Sequence, residues 1–275
     1  MITLKKLDNG FEYIEITNKV ASAKIALQGA HLFRYKTDVE HLWVSSIAKF
    51  EKGKAIRGGV PICWPQFGKP KDSKLKQHGF ARESMFELVE SKDSDAMTIV
   101  TLKLIDAKDE NFNYGCELSI TFYIGEELKI ELTTKNLDTK QIKITQALHT
   151  YFAISHISNI SIRGLENKPY LDQLDAKFKK DSDAIAIVEE VDRIYQDVDS
   201  PIILEDADKT INITNTNSAS TIVWNPWIEK AKNTKDMDDD GYENFVCIES
   251  ANALDDFVVL EGGESYILTT KQSFY

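Results

Sequence analysis

The sequence is poor in several things, and each shortage excludes something. No apolar run comes near the roughly 18 residues that a membrane-spanning helix needs, and the opening stretch "MITLKKLDNG" carries no apolar leader. Cysteine is scarce: Cys63, Cys116 and Cys247 are odd in number, far apart, and free of C-x-x-C or Cys/His spacing. Neither a disulfide framework nor a zinc site fits that pattern, so a reduced, cytoplasmic setting is the expectation. Proline occurs 6 times and glycine 13 times in 275 residues, and no Pro/Gly/Ser-rich linker breaks the chain. A single domain over residues 1–275 is therefore expected, a length that sandwiches and barrels often reach undivided. Positive charge is in deficit, 33 basic residues against 44 acidic, for a net charge of -11. Such a field repels phosphodiester backbones and anionic membrane surfaces, so neither nucleic acid nor a membrane is an expected partner. An enzyme acting on a small anion would need a local cationic pocket built from a few arginines or lysines.

What the chain does have is alternation. In "CELSITFYI" (116–124), Cys116, Leu118, Ile120, Phe122 and Ile124 share one face, and "LKIELTT" (128–134) continues the pattern after a Gly-Glu-Glu turn. Further strands are predicted at 11–16, 97–105, 141–154, 210–214, 221–224, 245–249 and 265–270. No long segment shows the 3.6-residue spacing of a helix, so the fold class is all-β, an antiparallel sandwich. Three stretches, 45–84, 164–184 and 225–244, read as long loops, where function tends to sit.

Within the first of them lies "IRGGVPICWPQFG" (56–68), whose Arg57 has no acidic neighbour. "QHGFAR" (77–82) adds Gln77, His78 and Arg82. Guanidinium forks grip phosphate bidentately, and the bare backbone of Gly58 and Gly59 allows main-chain N–H groups to approach, so the two stretches together make an anion cradle. The alternative is a surface turn with a pairing arginine. In "ALHTYF", alternation puts His149 with Lys143, Thr145 and Tyr151, opposite Ile142, Ile144, Leu148 and Phe152. "FVCIES" closes an apolar strand on Glu249; burial there would raise its pKa towards that of a useful base. A strand-end glutamate facing water is the other reading. "VDRIY" supplies Asp192, with a surface ion pair to Arg193 as the plain alternative. "DMDDDG" matches the first half of an EF-hand loop, yet the twelfth position counted from Asp236 is Cys247, which argues for a solvated acidic loop. No G-x-S-x-G or H-E-x-x-H is present.

Taken in order, "IRGGVPICWPQFG", "QHGFAR", "ALHTYF", "VDRIY", "VWNPW" and "VCIESAN" resemble the hexose-6-phosphate mutarotases (glucose-6-phosphate 1-epimerases) of the galactose-mutarotase-like superfamily, over roughly residues 10–270. The resemblance implies a large antiparallel supersandwich whose concave face holds the sugar, His149 and Glu249 as the acid/base pair, and Arg57, Gln77, Arg82 and Asp192 as substrate contacts, with His78 close by. One departure follows "HGFAR", where many relatives carry tryptophan and this chain has Met85 and Phe86. The implied reaction interconverts α and β anomers by opening and closing the hemiacetal, with Glu249 taking the proton from the C1 hydroxyl and protonated His149 delivering one to the ring oxygen. It involves no redox step and no carbanion, so no cofactor is expected, and the expected partner is a small sugar phosphate met by a monomer. Trp64, Trp224 and Trp227 are candidates for the pocket floor. The competing readings are an aldose 1-epimerase for unphosphorylated sugar and a non-catalytic carbohydrate-binding protein.

Overall fold

The structure is a computed structural model and describes residues 1–207 and 209–275. Three antiparallel sheets account for most of it. One has four strands in chain order, Ile2–Lys6, Glu12–Thr17, Ser22–Ala26 and His31–Lys36. A second, eight-stranded, runs Ile160–Arg163, Ile202–Asp206, Lys209–Thr216, Ser265–Phe274, Leu128–Asn136, Cys116–Ile124, Thr98–Leu104 and Phe86–Asp93. The third carries the site: Lys177–Lys180, Pro169–Asp172, Val191–Tyr195, Ser220–Asn225 and Phe245–Asn252, then Gln146–Leu148 and Ile62–Cys63, with Tyr151–Ala153 also pairing on Phe245–Asn252.

Alternation explains which faces meet. Thr98–Leu104 buries every second residue, as Cys116–Ile124 does from Leu118 onward, and their inward rows join Ile14, Ile25, Ile62 and Leu148 in one core. A second core packs the back of the site sheet (Phe152, Val223, Val246, Ile248) against Ile162, Leu204, Ile211 and Ile213. The front of the site sheet is left to other uses. Phe245–Asn252 is buried at every position, which is why its sequence runs apolar on both faces up to Glu249.

Several expectations need correction. The strand predicted over 141–154 is three pieces, Ile142–Ile144, Gln146–Leu148 and Tyr151–Ala153. Thr145 N–H donates to the Pro65 carbonyl, while a tight turn, Thr150 N–H to the Leu148 carbonyl at 2.9 Å, interrupts the ladder beside His149. The faces nevertheless alternate as predicted, because the register on either side of the break is the same. The 164–184 stretch is not a loop but holds a hairpin, Pro169–Asp172 with Lys177–Lys180. The 225–244 stretch contains the single α-helix among the described residues, Trp227–Lys232. It is too short to show helical periodicity in sequence. No helix among the described residues is long and apolar enough to cross a membrane.

Residues 59–65 run beside the site sheet as an irregular edge. Tyr151 N–H donates to the Gly59 carbonyl and His149 N–H to the Pro61 carbonyl, and Ile62–Cys63 pairs with Ala147 and Leu148. Pro61 and Pro65, lacking N–H groups, punctuate this edge where a regular strand would need donors. Gly58 and Gly59 have their own reason to be there. At φ 110 a Cβ on Gly58 would meet the Trp43 carbonyl at 2.4 Å, and at φ 64 one on Gly59 would meet that of Leu32 at 2.4 Å. Both are buried against neighbouring backbone, and the Gly59 N–H is spent on the Trp43 carbonyl. They allow close packing of the loop, and the Gly59 N–H is not free for an anion, contrary to the sequence reading.

Candidate active site

The decisive pairing is a matter of register. Tyr151 stands opposite Cys247 and Leu148 opposite Ser250, so the residues between them, His149 and Glu249, are cross-strand neighbours on the same face. About one hundred residues apart in the chain, they meet because two antiparallel strands lie side by side. His149 Nε2 lies 3.3 Å from Glu249 Oε1.

Around them opens a cleft of about 360 Å³. All seven sequence-predicted residues line it: His149 and Glu249, Arg57, Gln77, His78 and Arg82 on one side, and Asp192 on the other. Their order follows the strands. The Arg57, Gln77, His78 and Arg82 group lies at and beyond the Ile62–Cys63 edge; next inward comes His149, then Glu249, then Ile222 and Trp224, then Asp192, which is registered with Trp224. Adjacent strands are about 4.8 Å apart, so the cleft has two arginines towards one end, the His149 and Glu249 side chains at its centre, and Asp192 with Lys230 at the other end.

Electrostatics divide along the same line. Arg57 does have an acidic partner, though not one its local sequence reveals. Its Nε donates to Asp236 Oδ1 at 3.2 Å and its Nη1 to the Tyr151 hydroxyl at 3.1 Å. The phenol and this carboxylate keep the guanidinium firmly charged. Asp236 belongs to the stretch with EF-hand spacing. That stretch is not simply solvated: Asp238 accepts from the Ser46 N–H and from the hydroxyls of Ser45 and Ser46, which docks the loop beside Arg57. Arg82 is less satisfied. One terminal nitrogen donates to the Gln77 carbonyl at 3.1 Å, and Nε is buried without a hydrogen-bond partner.

Burial, reinforced by Arg82 and Arg57, pushes the His78 imidazole down to about 3, so it stays neutral. Its Nδ1 accepts from the Gly68 N–H, and the residue sits at φ 65, an uncommon conformation for a non-glycine. His149 is held well below the usual histidine value by burial first, then by His78, Arg82 and Arg57. Glu249 is held well above the usual carboxylate value by burial, with Asp192 adding to the shift and Arg82 opposing it. Both shifts favour the uncharged forms, neutral His149 and protonated Glu249, and each is set chiefly by the group's own burial. The form with Glu249 ionised and His149 protonated has the same proton count, one transfer away across 3.3 Å. Asp192 is raised chiefly by burial, opposed by Lys230 at 3.8 Å and by a hydrogen bond from Gln173.

Some lining residues escaped the sequence reading. Gln173 and Lys230 reach Asp192 from the hairpin side and from the short helix, both within stretches read as loops. Of the three candidate tryptophans, only Trp224 lines the cleft; Trp64 is fully buried in the main core, and Trp227 packs against Tyr242. Phe86 lies in the main core too, so the departure after "HGFAR" leaves the cleft wall untouched. Asp192 and Arg193 do not pair with each other: Arg193 bonds Asp181 and lies over the Tyr170 ring. Among the described residues no cluster of His, Cys, Asp or Glu could hold a metal ion.

The description of the aldose 1-epimerases matches residues 12–273. This chain belongs to the aldose 1-epimerase family. Among curated relatives, a protein of Cenchrus ciliaris named "Putative glucose-6-phosphate 1-epimerase" is 35% identical over 96% of this chain and 84% of its own length. One of the same name from Salmonella typhimurium is 32% identical over 92% of this chain and 87% of its own. A crystal structure of a mutarotase-like protein from Salmonella typhimurium superimposes with a TM-score of 0.91 at 29% identity, covering 99% of this chain and 93% of that one. A galactose 1-epimerase from Lactobacillus acidophilus shares the fold, with a TM-score of 0.76 at 13% identity over 100% of this chain and 98% of that one. As a member of the aldose 1-epimerase family the chain is an epimerase, built on the galactose-mutarotase-like β-sandwich.

Proposed function

We propose that this epimerase interconverts the α and β anomers of a hexose 6-phosphate, glucose 6-phosphate foremost, as a single cytoplasmic domain. The observation that carries the reading is the order of groups across one cleft. In a pyranose the ring oxygen lies between C1 and C5, and C5 carries the C6 phosphate. A ring oxygen at His149 and a C1 hydroxyl at Glu249 therefore put the phosphate on the His149 side, where Arg57 and Arg82 stand, and the remaining hydroxyls towards Asp192 and Gln173. The names borne by the curated relatives support the same substrate.

Ionised Glu249 takes the C1 hydroxyl proton as protonated His149 supplies one to the ring oxygen, opening the hemiacetal. Rotation about C1–C2 exposes the other face of the aldehyde, and closure reverses the two transfers. The resting pair is uncharged, so the acting form arises by transfer of the proton from Glu249 to His149. A phosphate dianion assists, since it offsets the two guanidinium charges that otherwise oppose an imidazolium. The arginines thus serve recognition and the ionisation of the pair together.

The test is exchange of magnetisation between anomers, measured with glucose 6-phosphate and with glucose. Two charge-assisted contacts should favour the phosphate ester by about 10²-fold or more in kcat/KM. Equal values would assign the protein to unphosphorylated sugars, and binding without faster exchange would make it a carbohydrate-binding protein.

A further inference from the structure

The imidazole of His149 is held in a particular way. A histidine that moves protons is ordinarily oriented by a hydrogen bond at its second ring nitrogen, which also fixes the tautomer. Here Nε2 faces Glu249, and Nδ1 is buried with no hydrogen-bond partner beyond the residue's own main chain. What holds the ring is a face. Tyr151, two residues on and therefore on the same side of the strand, stacks on it with centroids 4.9 Å apart and planes 11° from parallel. Trp43 stacks on Tyr151 in turn at 5.9 Å and 21°, and Phe245 on Trp43 at 4.4 Å. The edges of His78 and Trp224 close in on His149 at 5.9 Å each.

The other end of Tyr151 faces the cationic side. Its hydroxyl accepts from Arg57 Nη1 at 3.1 Å, while Asp236 holds Nε of the same guanidinium. Tyr151 itself is 2% exposed and does not line the cleft, so it does not reach a substrate. It nonetheless touches both a proton-handling group and a phosphate-facing one. Resting on the function proposed above, we infer that Tyr151 is a positioning residue with two separable tasks: its ring face sets the plane of His149, and its hydroxyl fixes the Arg57 guanidinium. The stacked ring also offers π-density to His149 when it becomes cationic during turnover.

The two tasks separate by substitution. Tyr151→Phe keeps the ring and loses the hydroxyl; kcat for glucose 6-phosphate should stay within about twofold while KM rises on the order of tenfold. Tyr151→Leu loses both, and should add a fall in kcat of about 10²-fold, the cost of misplacing a reacting group by about 1 Å. Should the leucine variant not fold, Tyr151→Met fills the space without a ring face and carries the same comparison. An unchanged KM in the phenylalanine variant overturns the hydroxyl's task, and a wild-type kcat in the leucine or methionine variant overturns the ring's. Crystal structures of the variants give a readout independent of turnover. Loss of the ring should leave His149 rotated away from Glu249, and an imidazole unmoved in both variants refutes the positioning role even if glucose 6-phosphate proves not to be the substrate.

Discussion

Replacing Glu249 by glutamine should make the protein more stable and nearly inactive. Glutamine is isosteric, so packing is kept at a position 1% exposed, and only the ionisable oxygen is lost. Glu249 Oε2 is buried with no hydrogen-bond partner, and the contact of Oε1 with His149 Nε2 is one that a glutamine amide can also reach. The sign of the stability effect follows from the raised pKa. Above the ordinary glutamate value of about 4.3 the unfolded chain releases a proton that the folded protein keeps, and each pH unit above it costs the native state about 1.4 kcal/mol until the raised value is reached. Removing the group removes that cost. At pH 7 the melting temperature of Glu249→Gln should exceed that of the wild type by several degrees, about 2–4 °C for each kcal/mol, and the gain should vanish as pH falls towards 4. Anomer exchange should meanwhile drop by about 10²–10⁴-fold, the usual contribution of a general base. Exchange at the wild-type rate would remove Glu249 from the chemistry, and a melting temperature that falls at neutral pH would refute its buried, protonated resting state.

Three other outcomes are expected. With free glucose as substrate, to avoid the titration of the ester itself near pH 6, kcat should form a broad plateau. Its acid limb should lie below the ordinary histidine value, because His149 is depressed, and its alkaline limb above the ordinary glutamate value, because Glu249 is raised; activity half lost on the acid side already near 6.5 would contradict the depressed imidazole. Arg82→Ala, which breaks no carboxylate contact, should raise KM for glucose 6-phosphate on the order of tenfold and change that for glucose far less, and equal losses on both would assign Arg82 to structure. Gly79→Ala forces a Cβ to within 2.1 Å of the Trp64 carbonyl at φ 71, so thermal unfolding should occur roughly 5 °C lower or more. An unshifted transition would show that the turn carrying His78 can relax.

How far the sequence revealed this molecule depended on how local each cause was. Strands buried on one face, such as Cys116–Ile124, announce themselves by alternation, and the sandwich class followed from them. Edge strands such as Ile2–Lys6, exposed along most of their length, carry no such pattern and were missed. The site residues were legible as types within motifs. Their convergence came only through the family resemblance, because it depends on a register that joins His149 to Glu249 across two strands far apart in the chain. Arg57 shows the limit best: it looked unpaired within thirteen residues, yet Asp236 and Tyr151 hold it from far along the chain. Gln173 and Lys230 gave no signal at all, since a glutamine and a lysine in polar stretches look like any solvated surface.

The most direct test of the central claim is a crystal structure with 1,5-anhydroglucitol 6-phosphate, a substrate analogue that lacks the C1 hydroxyl and cannot open. The phosphate should lie between Arg57 and Arg82, the ring oxygen within hydrogen-bond reach of His149 Nε2, and C1 against Glu249. A phosphate found at the Asp192 and Lys230 end, or a ring oxygen turned away from His149, would contradict the proposed order of groups and the mechanism built on it.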